Sequence, residues 1–302
     1  MTILVTGATG NIGRRVVDRL IDAGQRVRAM TRDPRSARLP TEVEVVYGDF
    51  RLPQTWPSAL AGVDRVYLFP AAYPAPGPGT GFTDKAMQAG THRFVVHSAA
   101  AAGFEPGDDP EDRSLTALQR HLAEERQAHR GLELMVEATG AGWTHLRPGL
   151  LAANTLAWAK RIRTERVVRE PNGAAGYPLV HEDDIAEIAV TALLTDSHVG
   201  ATYTITGPAR ISQVEQVRAI SVATGQRIDF EELSEERARE QWLRDGCPAD
   251  YLDWRIELLA ASLDGPGPLP ATDTFQRITG RPPQTFARWA FDHVDDFRAA
   301  TT

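Results

Sequence analysis

Lysine is almost missing from this chain of 302 residues: of 33 basic side chains, only Lys85 and Lys160 are lysines. Chemistry that needs an ammonium group is confined to those two positions. Cysteine is as scarce. Cys247 stands alone, which excludes an internal disulfide and a thiolate metal cluster and suits a reducing, cytoplasmic setting. The start of the chain lacks the basic residues and apolar core of a secretory leader, and no run of about 18 apolar residues is present to cross a membrane. Basic residues are also outnumbered, by 40 Asp and Glu, for a formal net charge of −7. Neither a nucleic acid nor an anionic membrane is therefore expected as a partner. The histidines His92, His181 and His198 have no metal-ligand spacing, so no metal is expected.

What the chain does have is alternation. Apolar runs at 3–6, 26–31, 43–47, 65–69, 93–97 and 143–147 read as strands. Amphipathic stretches near 11–23, 55–60, 83–89 and 115–138 read as helices between them, with Val16, Val17, Leu20 and Ile21 at helical spacing in the first. Strict alternation implies right-handed crossovers and an α/β, Rossmann-type doubly wound parallel sheet. Residues 1–150 are expected to form this core, with segments of about 180–206 returning to it. Residues 151–302 then form a smaller, mainly helical substrate-side lobe. Within it the pattern predicts a helix over 151–163, irregular chain after it, and a helix to residue 194 capped by Asp183-Asp184. A strand over 202–206, a helix over 212–224 and a terminal helix over 285–298 complete the expectation. A charged helical segment, 235–265, is broken at Gly246-Cys247-Pro248 and reads as a candidate lid.

Gly7-Ala8-Thr9-Gly10-Asn11-Ile12-Gly13 follows the first strand and opens the first helix. Glycine at these positions permits a tight turn, close approach of backbone to a pyrophosphate, and close packing of helix on strand. The helix N-terminus then offers free N–H groups and partial positive charge to the phosphates. The residue at the end of the second strand selects the nucleotide. An NAD site wants a carboxylate there; this chain has Arg32, which matches a 2′-phosphate and points to NADPH/NADP⁺. Asp33 is placed to cap the turn at Pro34, and Arg35 and Arg38 would reinforce the positive field. The Pro/Gly-rich patch 70–79 follows the fourth strand, where such sheets open onto their ligand crevice.

Val5–Gly13 together with Arg28-Ala29-Met30-Thr31-Arg32-Asp33-Pro34 resembles the NmrA-like branch of the atypical short-chain dehydrogenases/reductases. Gly48-Asp49-Phe50 is similar to the family's Gly-Asp pair after the third strand, which implies that Asp49 and Phe50 line the adenine. Leu146-Arg147-Pro148-Gly149 with Asn154, Asp183-Asp184-Ile185-Ala186 and Tyr203-Thr204-Ile205-Thr206-Gly207 resemble later signatures, so the likeness runs from residue 1 to about 225. The expected cofactor contacts are Gly7, Thr9, Gly10, Asn11, Ile12, Gly13, Arg32, Asp49 and Phe50. Phe69, Pro70, His97 and Ser98 join them at the ends of the fourth and fifth strands. The family holds both enzymes and redox-sensing regulators.

The resemblance also implies a catalytic Tyr-x-x-x-Lys, and the chain has none: four residues before Lys85 stands Gly81, and four before Lys160 stands Leu156. Aligned on Glu133, the tyrosine position holds Glu125 and the lysine position His129. The strand serine falls at Ala99, leaving Ser98 one residue out of register. Ser98, Glu125 and His129 are thus weak catalytic candidates. A positioned general acid contributes about 10²–10⁴-fold, so without one the acceptor must be activated already. The expectation is hydride transfer from NADPH to the activated carbonyl of a bulky aromatic, polyketide- or quinone-like substrate, of the kind met in secondary metabolism and antibiotic biosynthesis. Tyr73, Asn154, Trp158 and Trp242 are the substrate candidates. The alternative is a non-catalytic NADP(H) redox sensor that docks a regulatory protein. A monomer or weak homo-oligomer is expected.

Overall fold

Each apolar run of the first half becomes a strand of one parallel sheet. The strands are β1 (Thr2–Thr6), β2 (Arg26–Thr31), β3 (Glu44–Tyr47), β4 (Arg65–Leu68), β5 (Arg93–His97), β6 (Gly142–Pro148) and a final strand, Ala201–Ile205. They lie in the order β3-β2-β1-β4-β5-β6-final strand, which is the doubly wound arrangement expected. β1 and β5 are buried on both faces, which is why they read as continuous apolar runs instead of alternating ones. The computed structural model describes residues 1–69, 81–104, 109–263, 265 and 269–298. Among these, no helix is long and apolar enough to cross a membrane.

The chain divides into two compact units. The first comprises Met1–Gly103, Arg126–Pro148 and Glu182–Thr204; the second comprises Phe104–Glu125, Gly149–His181 and Ile205–Thr302. The core of the first unit gathers Leu4, Trp56, Leu68, Phe82, Phe94 and Val136. That of the second gathers Ile162, Val168, Ile220, Phe286, Trp289 and Phe297.

In the first unit, helix α1 (Asn11–Asp22) buries Ile12, Gly13, Val16, Val17 and Leu20. The helix Glu182–Leu194 packs on it through charge as well as apolar contact. Asp183 accepts two bonds from Arg19, at 3.0 and 2.6 Å, and Glu182, fully buried, lies 3.5 Å from Arg15. Asp183 and Asp184 therefore sit inside the first turn of their helix instead of capping it. The long helix Ala117–Glu137 brings Glu133 against β6. Its buried carboxylate takes Arg147 Nε at 2.8 Å, Arg147 Nη2 at 2.6 Å and Arg130 Nη1 at 3.0 Å, so the arginine of Leu-Arg-Pro-Gly is a half-buried partner of a buried carboxylate.

The second unit departs from the expected elements in three places. The backbone of Leu150 and Ala152 is bonded to Val180, so the chain tightens through a 3₁₀ helix, Ala152–Trp158, before the α-helix Ala159–Glu165. Two short strands, Val167–Glu170 and Gly176–Tyr177, lie in the stretch expected to be irregular. They pair with Asp229–Glu232 and Ile211–Ser212; the acidic composition of the former hides its strand. The terminal helix is interrupted at His293, between Phe286–Asp292 and Val294–Phe297.

Burial pushes the Glu133 carboxyl up, but the Arg147 hydrogen bonds and the charges of His145 and Arg147 prevail and hold it below the usual carboxylate value. A depressed folded-state value stabilises the fold fully above the unfolded value and loses that contribution as pH falls through the folded one. Glu133→Ala should thus cost about 3 kcal/mol at pH 7 in urea denaturation, leaving the half-buried Arg147 without its carboxylate. The gap from wild type should narrow below about pH 4.

Candidate cofactor and active site

At the end of β1 the chain turns at Gly7, whose φ of +65° is left-handed, and enters α1 with Gly10 as N-cap. Gly10 brings no side chain to the first amides, and the first turn contains no acidic residue. Those N–H groups and the positive end of the helix dipole stay available to an anion. A Cβ on Gly13 would lie 2.1 Å from the Gly7 carbonyl oxygen, so glycine alone allows helix and turn to meet. A Cβ on Gly7 would touch Phe69 at 3.0 Å, which places Phe69 over the turn. The Phe69 amide donates to Thr6 Oγ1 at 2.8 Å, and that hydroxyl donates to the Tyr67 carbonyl at 3.2 Å. The ends of β1 and β4 are thereby tied together.

A pocket of about 470 Å³ opens beside the turn. Six of the expected residues line it: Gly7, Thr9, Arg32, Asp49, Phe50 and Phe69. Arg51, with Met30, Thr31 and Gly48, lines it as well. Arg35 and Arg38 do not, so the second cation here is Arg51. Sequence reading passed over it, although its place two residues after Asp49 is a signal for a local ion pair. Arg51 donates through Nε at 3.1 Å and Nη2 at 2.7 Å to Asp49, and through its amide at 2.9 Å. These bonds, with the charges of Arg51 and Arg32 behind them, hold the Asp49 carboxyl down at about 2. Arg32 itself makes no ion pair among the described residues. Asp33 is spoken for: its carboxylate accepts from the Arg35 amide at 3.2 Å and Ser36 Oγ at 2.8 Å, closing the turn Pro34–Ser36. The carboxylate nearest Arg32 in sequence thus faces its own backbone.

Beside Phe69, at the end of β5, stands His97. Its Nδ1 shares a 2.8 Å hydrogen bond with the Tyr67 hydroxyl, and its ring lies 5.1 Å from that of Phe69. Burial, reinforced by the nearby His129, pushes His97 down to about 3; burial also pushes the Tyr67 phenol up. Both are therefore neutral at physiological pH. Ser98 is buried at 1% exposure, and its hydroxyl finds no hydrogen-bond partner among the described residues. His129 is half-buried in the first unit, while Glu125 falls in the second. Asn11 is exposed at the start of α1, and Ile12 is buried beneath it. Pro70 and Tyr73 lie outside the described residues. Glu133, Glu137 and His145 bring donor atoms within 4.8 Å of one another. Arg130 and Arg147 already bond both carboxylates, so the group is an ion-pair network.

Two of the substrate candidates meet in the second unit. Trp158 and Trp242 both donate their indole N–H to Glu170, at 3.0 and 3.1 Å, and Arg255 Nη2 lies 3.2 Å from the same carboxylate. Asn154 is exposed on the 3₁₀ helix and does not join them.

A glycine turn feeding an uncapped helix, with a cationic pocket at the end of β2, is the architecture of a nicotinamide-dinucleotide-binding domain. The NAD(P)H-binding family model matches residues 7–196. The chain is 33% identical over 302 residues to NAD(P)H azoreductase of Xenophilus azovorans, covering 99% of this chain and all of the relative. It is 35% identical over 303 residues to (4-alkanoyl-5-oxo-2,5-dihydrofuran-3-yl)methyl phosphate reductase of Streptomyces griseus, covering 98% and 99%. In fold it is similar to triphenylmethane reductase of Citrobacter sp., solved with NADP(H), at a TM-score of 0.73 and 20% identity over 97% and 99% of the two chains. The chain belongs to the NmrA-like atypical short-chain dehydrogenases/reductases, a family of NAD(P)H-dependent oxidoreductases.

Gly13→Ala must push α1 off the turn. NADP⁺ affinity measured by titration calorimetry should fall about tenfold or more, the equivalent of at least ~1.4 kcal/mol. Unchanged affinity would remove Gly13 from the phosphate turn.

Proposed function

We propose that the protein is an NADPH-dependent reductase that delivers hydride to an already activated, conjugated acceptor, the activated carbonyl of a bulky aromatic, polyketide- or quinone-like compound. The observation that carries this reading is an uncommitted Arg32 lining the pocket beside the glycine turn, together with a neutral His97 in ring contact with Phe69, which lines the same pocket. The glycines and α1 would hold the pyrophosphate, Arg32 with Arg51 the 2′-phosphate, and Asp49 and Phe50 the adenosine. When bound, the reduced nicotinamide supplies the hydride.

The chain's own residues do the rest. Phe69, lying over the turn and against His97, gives the nicotinamide end an apolar wall that excludes water. Thr6 fixes that wall by bonding both β4 backbone groups. His97 and Tyr67 satisfy each other and offer no ready proton, so the acceptor must take up charge without an acid from this pair. Quinones, cationic dyes and carbonyls hydrogen-bonded by a neighbouring hydroxyl can do this. The relatives' names point the same way: an azo compound, a conjugated furanone and a triphenylmethane dye each delocalise the electrons they receive. Proximity is then the main catalytic contribution.

NADPH oxidation followed by absorbance against a panel of quinones and hydroxyaryl ketones tests the reading. No turnover alongside tight NADP⁺ binding would overturn it in favour of a redox sensor. Arg32→Ala should weaken NADPH about 10–100-fold, from roughly 1.5–3 kcal/mol of charge-assisted bonding, and leave NADH within about threefold. Because His97 is neutral above about 3, kcat/KM should show no limb near 6.5, the ordinary histidine value. A fall on either side of that pH would mean that a histidine proton takes part.

A further inference from the structure

The second unit contains a cleft of about 630 Å³ whose charge opposes that of the whole chain. Five cations line it, Lys160, Arg161, Arg169, Arg244 and Arg255, against three carboxylates, Glu165, Glu170 and Asp245. In a protein of net charge −7 this local excess is unexpected. Three of the cations are matched to cleft carboxylates: Arg161 to Asp245 at 3.0 Å, Arg255 to Glu170 at 3.2 Å, and Arg169 to Glu165. Lys160 makes no ion pair among the described residues. Arg244 has only Glu240, outside the cleft and at a loose 3.9 Å. Both are exposed.

The wall between them is aromatic. Trp158 is half-buried and Trp242 nearly fully buried. Glu170, itself 4% exposed, accepts both indole N–H groups and thereby fixes both rings with their polar edges inward. Arg255 lies over the Trp242 ring, 3.9 Å from its centroid, a cation–π contact that rigidifies the wall further. The Glu170 group is self-sufficient: each of its oxygens has a partner, so a ligand need not satisfy it. The half-buried Trp158, and two cations that no cleft carboxylate pairs, Lys160 and the loosely held Arg244, remain for something else.

We propose that this cleft binds a planar aromatic ring carrying an anionic group, the ring against the half-buried Trp158 and the anion held by Lys160 and Arg244. The reductase reading supplies the reason for such a ligand, because an extended aromatic acceptor often bears an acidic group; binding itself does not depend on turnover, so the two can fail separately.

Cys247 lines the cleft and is the chain's only cysteine, so it reports on this site alone. The full protein, saturated with NADP⁺ to block the nucleotide pocket, is titrated with 2-naphthalenesulfonate while N-ethylmaleimide labelling of Cys247 is timed. Saturating sulfonate should slow labelling about tenfold. Lys160→Gln/Arg244→Gln should weaken the half-protecting concentration about tenfold, and 2-methylnaphthalene, which lacks the charge, should protect no better than that variant. Both substitutions are at exposed positions, and an unchanged melting temperature shows the fold intact. Absence of protection, or equal protection of wild type and double variant, or equal protection by the uncharged ring, each overturns the proposal.

Discussion

A helix can offer its first amides to a phosphate only if it abuts the strand before it, and here that contact is closed by one missing atom. The Gly13 Cα faces the Gly7 carbonyl so closely that a single carbon would lie 2.1 Å from the oxygen. Everything else in the first unit serves this junction. Gly10 leaves the amides uncapped, Phe69 roofs the turn, and the helix Glu182–Leu194 grips α1 through Arg19 and Asp183. That grip is part-exposed and salt-sensitive, but it is bidentate, which sets the rotation of α1 as well as its distance.

Where local composition was decisive, the sequence could be read. β2 and β5 fall on the expected residues, and α1 ends one residue early, because apolar runs in a parallel sheet and a glycine-punctuated helix have few competing readings. Three things were hidden for physical reasons. The 3₁₀ stretch over Ala152–Trp158 is imposed by backbone bonds to Val180, some thirty residues away, which no local pattern encodes. The strand Asp229–Glu232 has three acidic residues, which disfavour strands, around a single Phe230, and exists because Val167–Glu170 supplies its partner. Asp183 and Arg147 are visible as motif residues, but their roles are ion pairs with Arg19 and Glu133, and pairing across distance leaves no periodic trace.

For the candidate site, the residues expected around the nucleotide are the ones the fold brings together. Six of its expected contacts line one pocket, since glycine turns and the end of β2 follow backbone geometry. The reacting end is defined by what its groups do not do. A chain with two lysines has no Tyr-x-x-x-Lys to donate a proton, and the histidine that ends β5 is buried against Tyr67 until its charged form is suppressed. On the proposed reading this places the selection of substrate in the acceptor's own electronics: compounds that can delocalise a hydride's electrons react, and plain ketones do not.

The turn Pro34–Ser36 has a further consequence, for coenzyme exchange. Asp33 uses its carboxylate to accept from Arg35 and Ser36, so recruiting it to a ribose diol after removal of the arginine beside it would compete with the bonds that close the turn. Converting such a site to the cheaper, unphosphorylated coenzyme, as an industrial biocatalyst would require, needs a carboxylate installed at the end of β2 as well as the loss of Arg32. On the proposed reading, discrimination between the two coenzymes is held by a loop whose closing bonds do not involve the Arg32 side chain, so its shape and its charge can be redesigned separately.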